Sequence, residues 1–275
     1  MRRITALWYN FRMGRCGSEK RKINVVLRGG GDEAAAVLLA ERLGTEVLRG
    51  AEPEGLAVIF DEGGASLAGR VATAAGRSVS LRPDFSEMLP RIRPDALSRE
   101  MLVRAAKIKG RAPRDITVTD ATAGLGGDSF ILAAAGYNVV MYENDPVIAA
   151  LLRDALRRAA EVPALRGAAG RMELREEDSI DALSSDAAAA DIVYLDPMFP
   201  DRKKSGAVGK KFQLLQQLER PCESGRDLLA AATGAARVKV VIKRPLGGEP
   251  LGGRRPDYTL KGKTVRFDCI AVNEL

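Results

Sequence analysis

Residues 115–275 predict a doubly wound α/β fold on a largely parallel sheet, with a smaller N-terminal α/β unit ahead of it. Apolar runs of strand length alternate with helix-length segments. A glycine-rich loop follows the first strand of the larger unit, and an acid stands at or beyond the carboxyl end of successive strands. In such sheets ligands lie outside those carboxyl ends.

Residues 1–22 carry Arg2, Arg3, Arg12, Arg15, Lys20, Arg21 and Lys22 against Glu19 alone, a net +6. They read as a basic extension of the kind often disordered, with Met1 or Met13 as the start. In 23–81 a strand at 23–27, a helix over 32–43 ended by Gly44 and a strand at 56–60 make the small unit. Gly29-Gly30-Gly31 reads as a flexible connection rather than an anion site. Residues 82–114, rich in Pro and Arg, read as a linker with a helix near 98–107, so that 23–114 is the N-terminal domain with its linker.

From Asp115 the alternation is regular. A strand at 116–120 precedes a helix over 129–135 closed by Gly136. A strand at 137–143 precedes a long helix from Pro146, a residue suited to a first helical turn, to about Ala160. Strands at 171–175, 191–195, 237–243 and 264–272 complete the sheet.

The 275 residues, 46% hydrophobic, suffice for a sizeable core. No apolar stretch is long enough to span a bilayer, and the N-terminus does not read as a secretory signal. The three cysteines, Cys16, Cys222 and Cys269, lack any C-x-x-C spacing, which points to a reducing cytoplasm and away from zinc. The chain has no histidine, which excludes Ser-His-Asp and Cys-His catalysis and any His-based metal site. No metal, membrane or obligate protein partner is expected. Net charge is +7, unevenly spread: 115–200 hold fifteen acids against six bases, whereas 202–211 hold Arg202, Lys203, Lys204, Lys210 and Lys211 without an acid. A polyanion docking beside the acidic centre accounts for that switch, and a solvated lysine loop accounts for it equally.

Four loops converge on the predicted carboxyl edge. In the first, 120–128, Gly124, Gly126 and Gly127 allow a tight turn and close ligand approach at a helix N-terminus. A dinucleotide fingerprint wants glycine or alanine where Ser129 stands, and Asp120 and Asp128 disfavour a pyrophosphate. A ligand with a positive centre, such as a sulfonium with an α-ammonium, suits them better. Glu143, followed by Asn144, can accept from both hydroxyls of a ribose, a need that NAD and S-adenosylmethionine share. Asp178 and Ser179 either bond an adenine edge or cap the next helix. In the fourth loop Asp196 supplies an acceptor, Pro197 removes a donor and fixes a dihedral, and Phe199 offers a flat apolar face. That set suits a planar heterocycle bearing an amino group.

The string Tyr194-Leu195-Asp196-Pro197-Met198-Phe199-Pro200 followed by Lys203-Lys204-Ser205 resembles the bacterial ribosomal RNA small-subunit methyltransferase J family. Val240-Val241-Ile242-Lys243-Arg244-Pro245 and Lys263-Thr264-Val265-Arg266-Phe267-Asp268 match it too. The resemblance implies a Rossmann-like class I S-adenosylmethionine-dependent methyltransferase over 115–275. It implies cytoplasmic methylation of the exocyclic N2 of a guanine in 16S rRNA, as free RNA or small ribosomal subunit. Carried onto matching positions, cofactor contacts fall at Gly127, Asp128, Glu143, Asn144, Asp178, Ser179 and Asp196, beside Asp120, Gly124 and Gly126 of the loop. Gly127 and Asn144 stand where the family usually has Arg, and Asp178 where it has Ser. Pro90-Arg91-Ile92-Arg93-Pro94 occupies the region of the family's glycine-rich basic stretch.

On this reading Asp196, with carbonyls of the Pro197-Met198 turn, accepts the N–H bonds of the amine and orients its lone pair. Phe199 stacks on the base. Lys203, Lys204, Lys210, Lys211, Lys243 and Arg244 hold phosphates. A DNA amino-methyltransferase acting on adenine N6 or cytosine N4 is the nearest alternative, though no separate DNA-reading domain is evident. An NAD-dependent oxidoreductase is a more distant one, opposed by Ser129 and the acidic first loop. A non-catalytic RNA-binding protein is the third.

Overall fold

A computed structural model describes residues 22–50, 52, 55–70, 78–185, 189–197, 210–215, 217–218 and 224–272. The first of its two sheets contains β1 (Ile23–Leu27), β2 (Val47–Arg49), β3 (Leu56–Asp61), β4 (Gly64–Arg70) and β5 (Ser78–Leu81), ordered β2-β1-β3-β4-β5. The first three are parallel, and β3, β4 and β5 form an antiparallel meander. Helix α1 (Glu33–Leu43) starts where the Asp32 side chain accepts from the Ala35 amide and stops at Gly44 in the left-handed region. Strand β4 reads Gly-Ala-Ser-Leu-Ala-Gly-Arg and carries little strand propensity; pairing with β3 makes it a strand.

Residues 82–114 are not a linker. Phe85 stacks on Phe130 with ring centroids 4.5 Å apart. Short helices α2 (Pro94–Leu97) and α3 (Met101–Ala106) follow, and Leu102, Val103, Ala105 and Ala106 are buried in the core of the second sheet. Arginines flanking these apolar residues disguise a packed segment as a connection.

The second sheet comprises β6 (Thr117–Asp120), β7 (Asn138–Tyr142), β8 (Met172–Arg175), β9 (Ala190–Leu195), β10 (Ala236–Pro245), β11 (Tyr258–Lys261) and β12 (Val265–Ala271). Their order is β11-β12-β10-β9-β6-β7-β8. From β8 to β10 every pairing is parallel; β12 is antiparallel to β10, and β11 to β12. Every residue of β9 is buried, as a central strand covered on both faces requires.

The connecting helices are α4 (Gly127–Ala134), α5 (Pro146–Glu161), α6 (Pro163–Ala169), α7 (Ser179–Leu183), α8 (Lys210–Leu215) and α9 (Gly225–Ala235). Side chains of α3, α4 and α6 pack with one face of the second sheet, those of α7 and α9 with the other. Helix α5 buries two stripes. Leu152, Ala155 and Ala159 join the second sheet's core, while Val147, Ile148, Ala150 and Leu151 join that of the first sheet. The buried Asp154 accepts the Ala65 amide at 2.9 Å and pairs with Arg157 and Arg158, so the seam has a polar tie as well. A second tie pairs Glu176, just past β8, with Arg42 of α1 and Arg153 of α5. Among the described residues no helix is long and apolar enough to cross a membrane.

Candidate functional site

Strand β6 ends in Asp120, which is 1% exposed. Its carboxylate accepts the Thr122 amide at 3.0 Å and the Ser129 hydroxyl. Burial raises it to about 6, with Asp128 and Asp196 adding to the rise and the Ser129 and Thr122 hydrogen bonds opposing it. Asp120 therefore lies beneath the glycine loop and shapes it. Its expected place among the cofactor contacts is corrected to a supporting one, because burial leaves its carboxylate no access to a ligand.

Above it the chain turns through Gly124 and Gly126, at φ of 54° and 75°, into α4. A Cβ on Gly126 would also stand 2.7 Å from Leu152 Cδ1, so conformation and packing both demand glycine. A Cβ on Gly127 meets nothing within 4 Å. A β-carbon is therefore accommodated at that position.

Beyond the end of β7, Glu143 accepts the Gly124 amide at 3.0 Å and the Asp145 amide at 2.8 Å. The first bond ties the glycine loop to the second strand; burial raises the carboxyl to about 7. Asp145 caps α5 through the Val147 and Ile148 amides, and Asn144 between the two acids is exposed. Asp178 accepts the Ile180 and Asp181 amides at the start of α7, which realises the capping alternative for it and leaves Ser179 as the first helical residue.

Beyond the end of β9, Asp196 is 34% exposed at its side chain, well outside the core. Its amide donates to the Thr122 hydroxyl at 2.7 Å, and its carboxylate lies 2.9 Å from Lys243 Nζ. The same ammonium donates to Asp128 at 2.7 Å, and Asp128 also accepts the Tyr194 hydroxyl at 2.6 Å. Burial lowers the Lys243 ammonium, but Asp128 and Asp196 outweigh it and hold its pKa above the ordinary lysine value. Lys243 is thus not a surface grip for phosphate; its charge is engaged inside the site. Arg244 is also corrected: it is 9% exposed, and its guanidinium donates twice to the Glu249 carbonyl. The alternation along β10 that turns Lys243 toward Asp128 turns Arg244 to the other face.

Met198, Phe199, Lys203 and Lys204, the side chains of Lys210 and Lys211, and the basic extension as far as Arg21 lie outside the described residues. The stacking and phosphate roles expected of them stay with the sequence reading. Three residues that matter were missed by it. Thr122 joins Asp120 to Asp196, Ser129 holds Asp120, and Tyr194 holds Asp128. Ser129 had a signal, since it broke the dinucleotide fingerprint, and Tyr194 was a polar-tipped aromatic in an apolar strand. Thr122 had none.

The donor set fits a ligand with a cationic centre and a vicinal diol. Asp128 and Asp196 flank the mouth of the glycine loop, and Glu143 stands one strand away with its pKa raised by burial. A bound diol donating hydrogen bonds to Glu143 favours its ionised form. S-adenosylmethionine meets both requirements.

Residues 51–272 match a family model described as "Putative SAM-dependent methyltransferase". The chain is 38% identical over 258 residues to the ribosomal RNA small subunit methyltransferase J of Alkalilimnicola ehrlichii, covering 90% of this chain and 95% of that protein. It is 42% identical over 176 residues to the protein of the same name from Hahella chejuensis, covering 64% of this chain and 65% of that one. The crystal structure of the SAM-dependent methyltransferase NGO1261 from Neisseria gonorrhoeae superposes with a TM-score of 0.66 at 29% identity, covering 90% of this chain and 95% of that one.

Proposed function

This chain belongs to the ribosomal RNA small subunit methyltransferase J family of SAM-dependent methyltransferases, and on that premise we propose that it methylates the exocyclic N2 of a guanine in 16S rRNA. S-adenosylmethionine, when bound, supplies an electrophilic methyl on a sulfonium. The chain's own residues do the rest. Glu143 accepts from the ribose hydroxyls, and the loop from Gly124 to Asp128 gives its backbone to the amino-acid end.

A guanine amine is a weak nucleophile because its lone pair is delocalised into the ring. Asp196 accepts one of its N–H bonds and turns the lone pair toward the methyl. As the new C–N bond forms the methyl–sulfur bond would break, leaving a neutral thioether. The amine proton becomes acidic only then and would pass through the Asp196 carboxylate to water, so no histidine is needed. Holding the reactants in line is worth roughly 7–11 kcal/mol of barrier, more than any single hydrogen bond. The observation that carries this reading is the placement of Asp196. Its backbone is braced by Thr122, its carboxylate is held by Lys243, and its side chain is 34% exposed immediately before Pro197. A reducing cytoplasm, where rRNA is made and folded, is where we place the reaction.

The test uses labelled S-adenosylmethionine and small-subunit RNA, free and assembled, from cells lacking the gene. Nucleoside analysis is expected to return N2-methylguanosine. Label on adenine N6 or cytosine N4, or no label in either substrate, overturns the reading.

A further inference from the structure

We infer that the cleft between the α2–α3 segment and the turn joining β11 to β12 seats the nucleotide next to the target guanine in a single RNA strand. The inference rests on RNA being the substrate and adds where the strand enters. The cleft has a volume of about 410 Å³, in the range of sites that hold one small molecule, and its inner wall includes Asp128 and Lys243. It therefore opens onto Lys243, the ammonium that pairs with Asp196.

Sheet order gives the direction. Reading across the carboxyl edge, Glu143 follows β7, Asp120 ends β6, Asp196 follows β9 and Lys243 stands on β10. Lys243 pairs across strands with Phe267 of β12, and Pro245 with Val265, where the β11–β12 turn ends. Glu143 stands toward one end of this line and the cleft at the other, past the carboxylate that meets the acceptor, with Asp128 of the glycine loop on the cleft's near wall. A strand presenting a base to Asp196 thus meets the cleft with its adjoining nucleotide.

The lining suits such an occupant. Arg91, Arg99 and Lys263 stand on the outer rim, and the half-buried Met101 and Val265 supply an apolar floor. Arg91 is held by Glu100 in a two-pronged pair at 2.8 and 3.0 Å, which fixes the direction of its guanidinium. Arg99 and Lys263 are exposed, and the Arg99–Asp95 pair is a solvated i,i+4 contact that a phosphate can displace at small cost. Cations outside with an apolar floor inside is the chemistry of a nucleotide held by phosphate and by contact with its base, without sequence reading.

The experiment compares the full chain with two charge-reversed double variants, Arg99→Glu with Lys263→Glu at the cleft and Lys109→Glu with Arg114→Glu at the amino-terminal edge of the sheet. Affinity for a small-subunit RNA fragment is measured from low to moderate salt, with cofactor affinity by calorimetry alongside. The cleft variant is expected to lose at least about tenfold in RNA affinity and to flatten the slope of log K against log salt by about 1.4, two single-strand phosphate contacts. Its cofactor affinity should stay within about twofold, and the edge variant should bind RNA like the parent. Equal weakening in both variants means a diffuse field and overturns the inference, as does an unchanged slope in the cleft variant. Nucleoside analysis of the parent's product reports separately on the reaction: a base other than guanine, or none, defeats the proposed function, while the binding comparison still decides the cleft.

Discussion

The two ends of the carboxyl edge hold their acids in opposite ways. At the β6–β7 end, Asp120 is buried and Glu143 partly buried, and among the described residues their hydrogen-bond donors are neutral: the Thr122 amide and hydroxyl and the Ser129 hydroxyl for Asp120, and the Gly124 and Asp145 amides for Glu143. Their charge is consequently conditional, with carboxyls raised to about 6 and about 7. At the β9–β10 end, Asp128 and Asp196 are partly exposed and share one ammonium. Their charge has a permanent partner. The difference matches the tasks proposed for the two ends: one becomes fully charged when a ligand fills it, while the other must present a ready acceptor to an amine that brings no charge of its own.

The largest effect expected is at the second end. Asp196→Ala should lower the single-turnover methyl-transfer rate by about 100-fold or more, while cofactor affinity falls only a few-fold. Near-parental turnover would remove Asp196 from the reaction. Lys243→Met comes next, because it removes the ammonium that Asp128 and Asp196 share. The single-turnover rate should fall about tenfold while cofactor affinity changes less. Lys243→Arg should restore most of that rate, and a Lys243→Met variant at the parental rate would make Lys243 merely structural.

At the first end, pH is the probe. Asp120 and Glu143 are raised in the folded chain above their ordinary 3.8 and 4.5, so between those values and about 6 and 7 the folded state holds protons that the unfolded state has released. Their contribution to folding is therefore full at low pH and is lost as pH rises through about 6 and 7. Denaturant midpoints of the ligand-free chain should show that fall, and Glu143→Gln should flatten part of it. Cofactor affinity should run the other way, weakening as pH drops from 8 toward 6, with Glu143→Gln about tenfold weaker at pH 8. A cofactor affinity flat with pH would place the ribose elsewhere.

The smallest effect separates two neighbouring glycines. Gly126→Ala should destabilise the chain by about 1–3 kcal/mol, from left-handed strain and the clash with Leu152. Gly127→Ala should stay within about 0.5 kcal/mol in urea titrations. Equal effects would mean that the turn is not anchored as described.

Elements with strong local signals were legible: the strands ending near Asp120, Glu143 and Asp196, the Asp32 and Gly44 boundaries of α1, and the Pro146 start of α5. Strands β2, β4, β5 and β11 were not, because they are short or made of small residues and exist through their pairing partners. The site divides along the same line. Asp196 and Glu143 stood out as acids at strand ends, whereas Thr122 was invisible because its hydroxyl matters only once β9 lies beside β6.

Local chemistry alone thus settled which acids reach the edge of the sheet, since alternation and turn residues place each strand end without knowledge of its neighbours. Tertiary structure decided what neutralises them and what stands beside them. Lys243 meets Asp128 across 115 residues of chain, and the segment at 82–114 becomes a wall of the core and of the cleft rather than a tether. Juxtapositions of that kind depend on burial shared between distant elements, which no window of sequence contains.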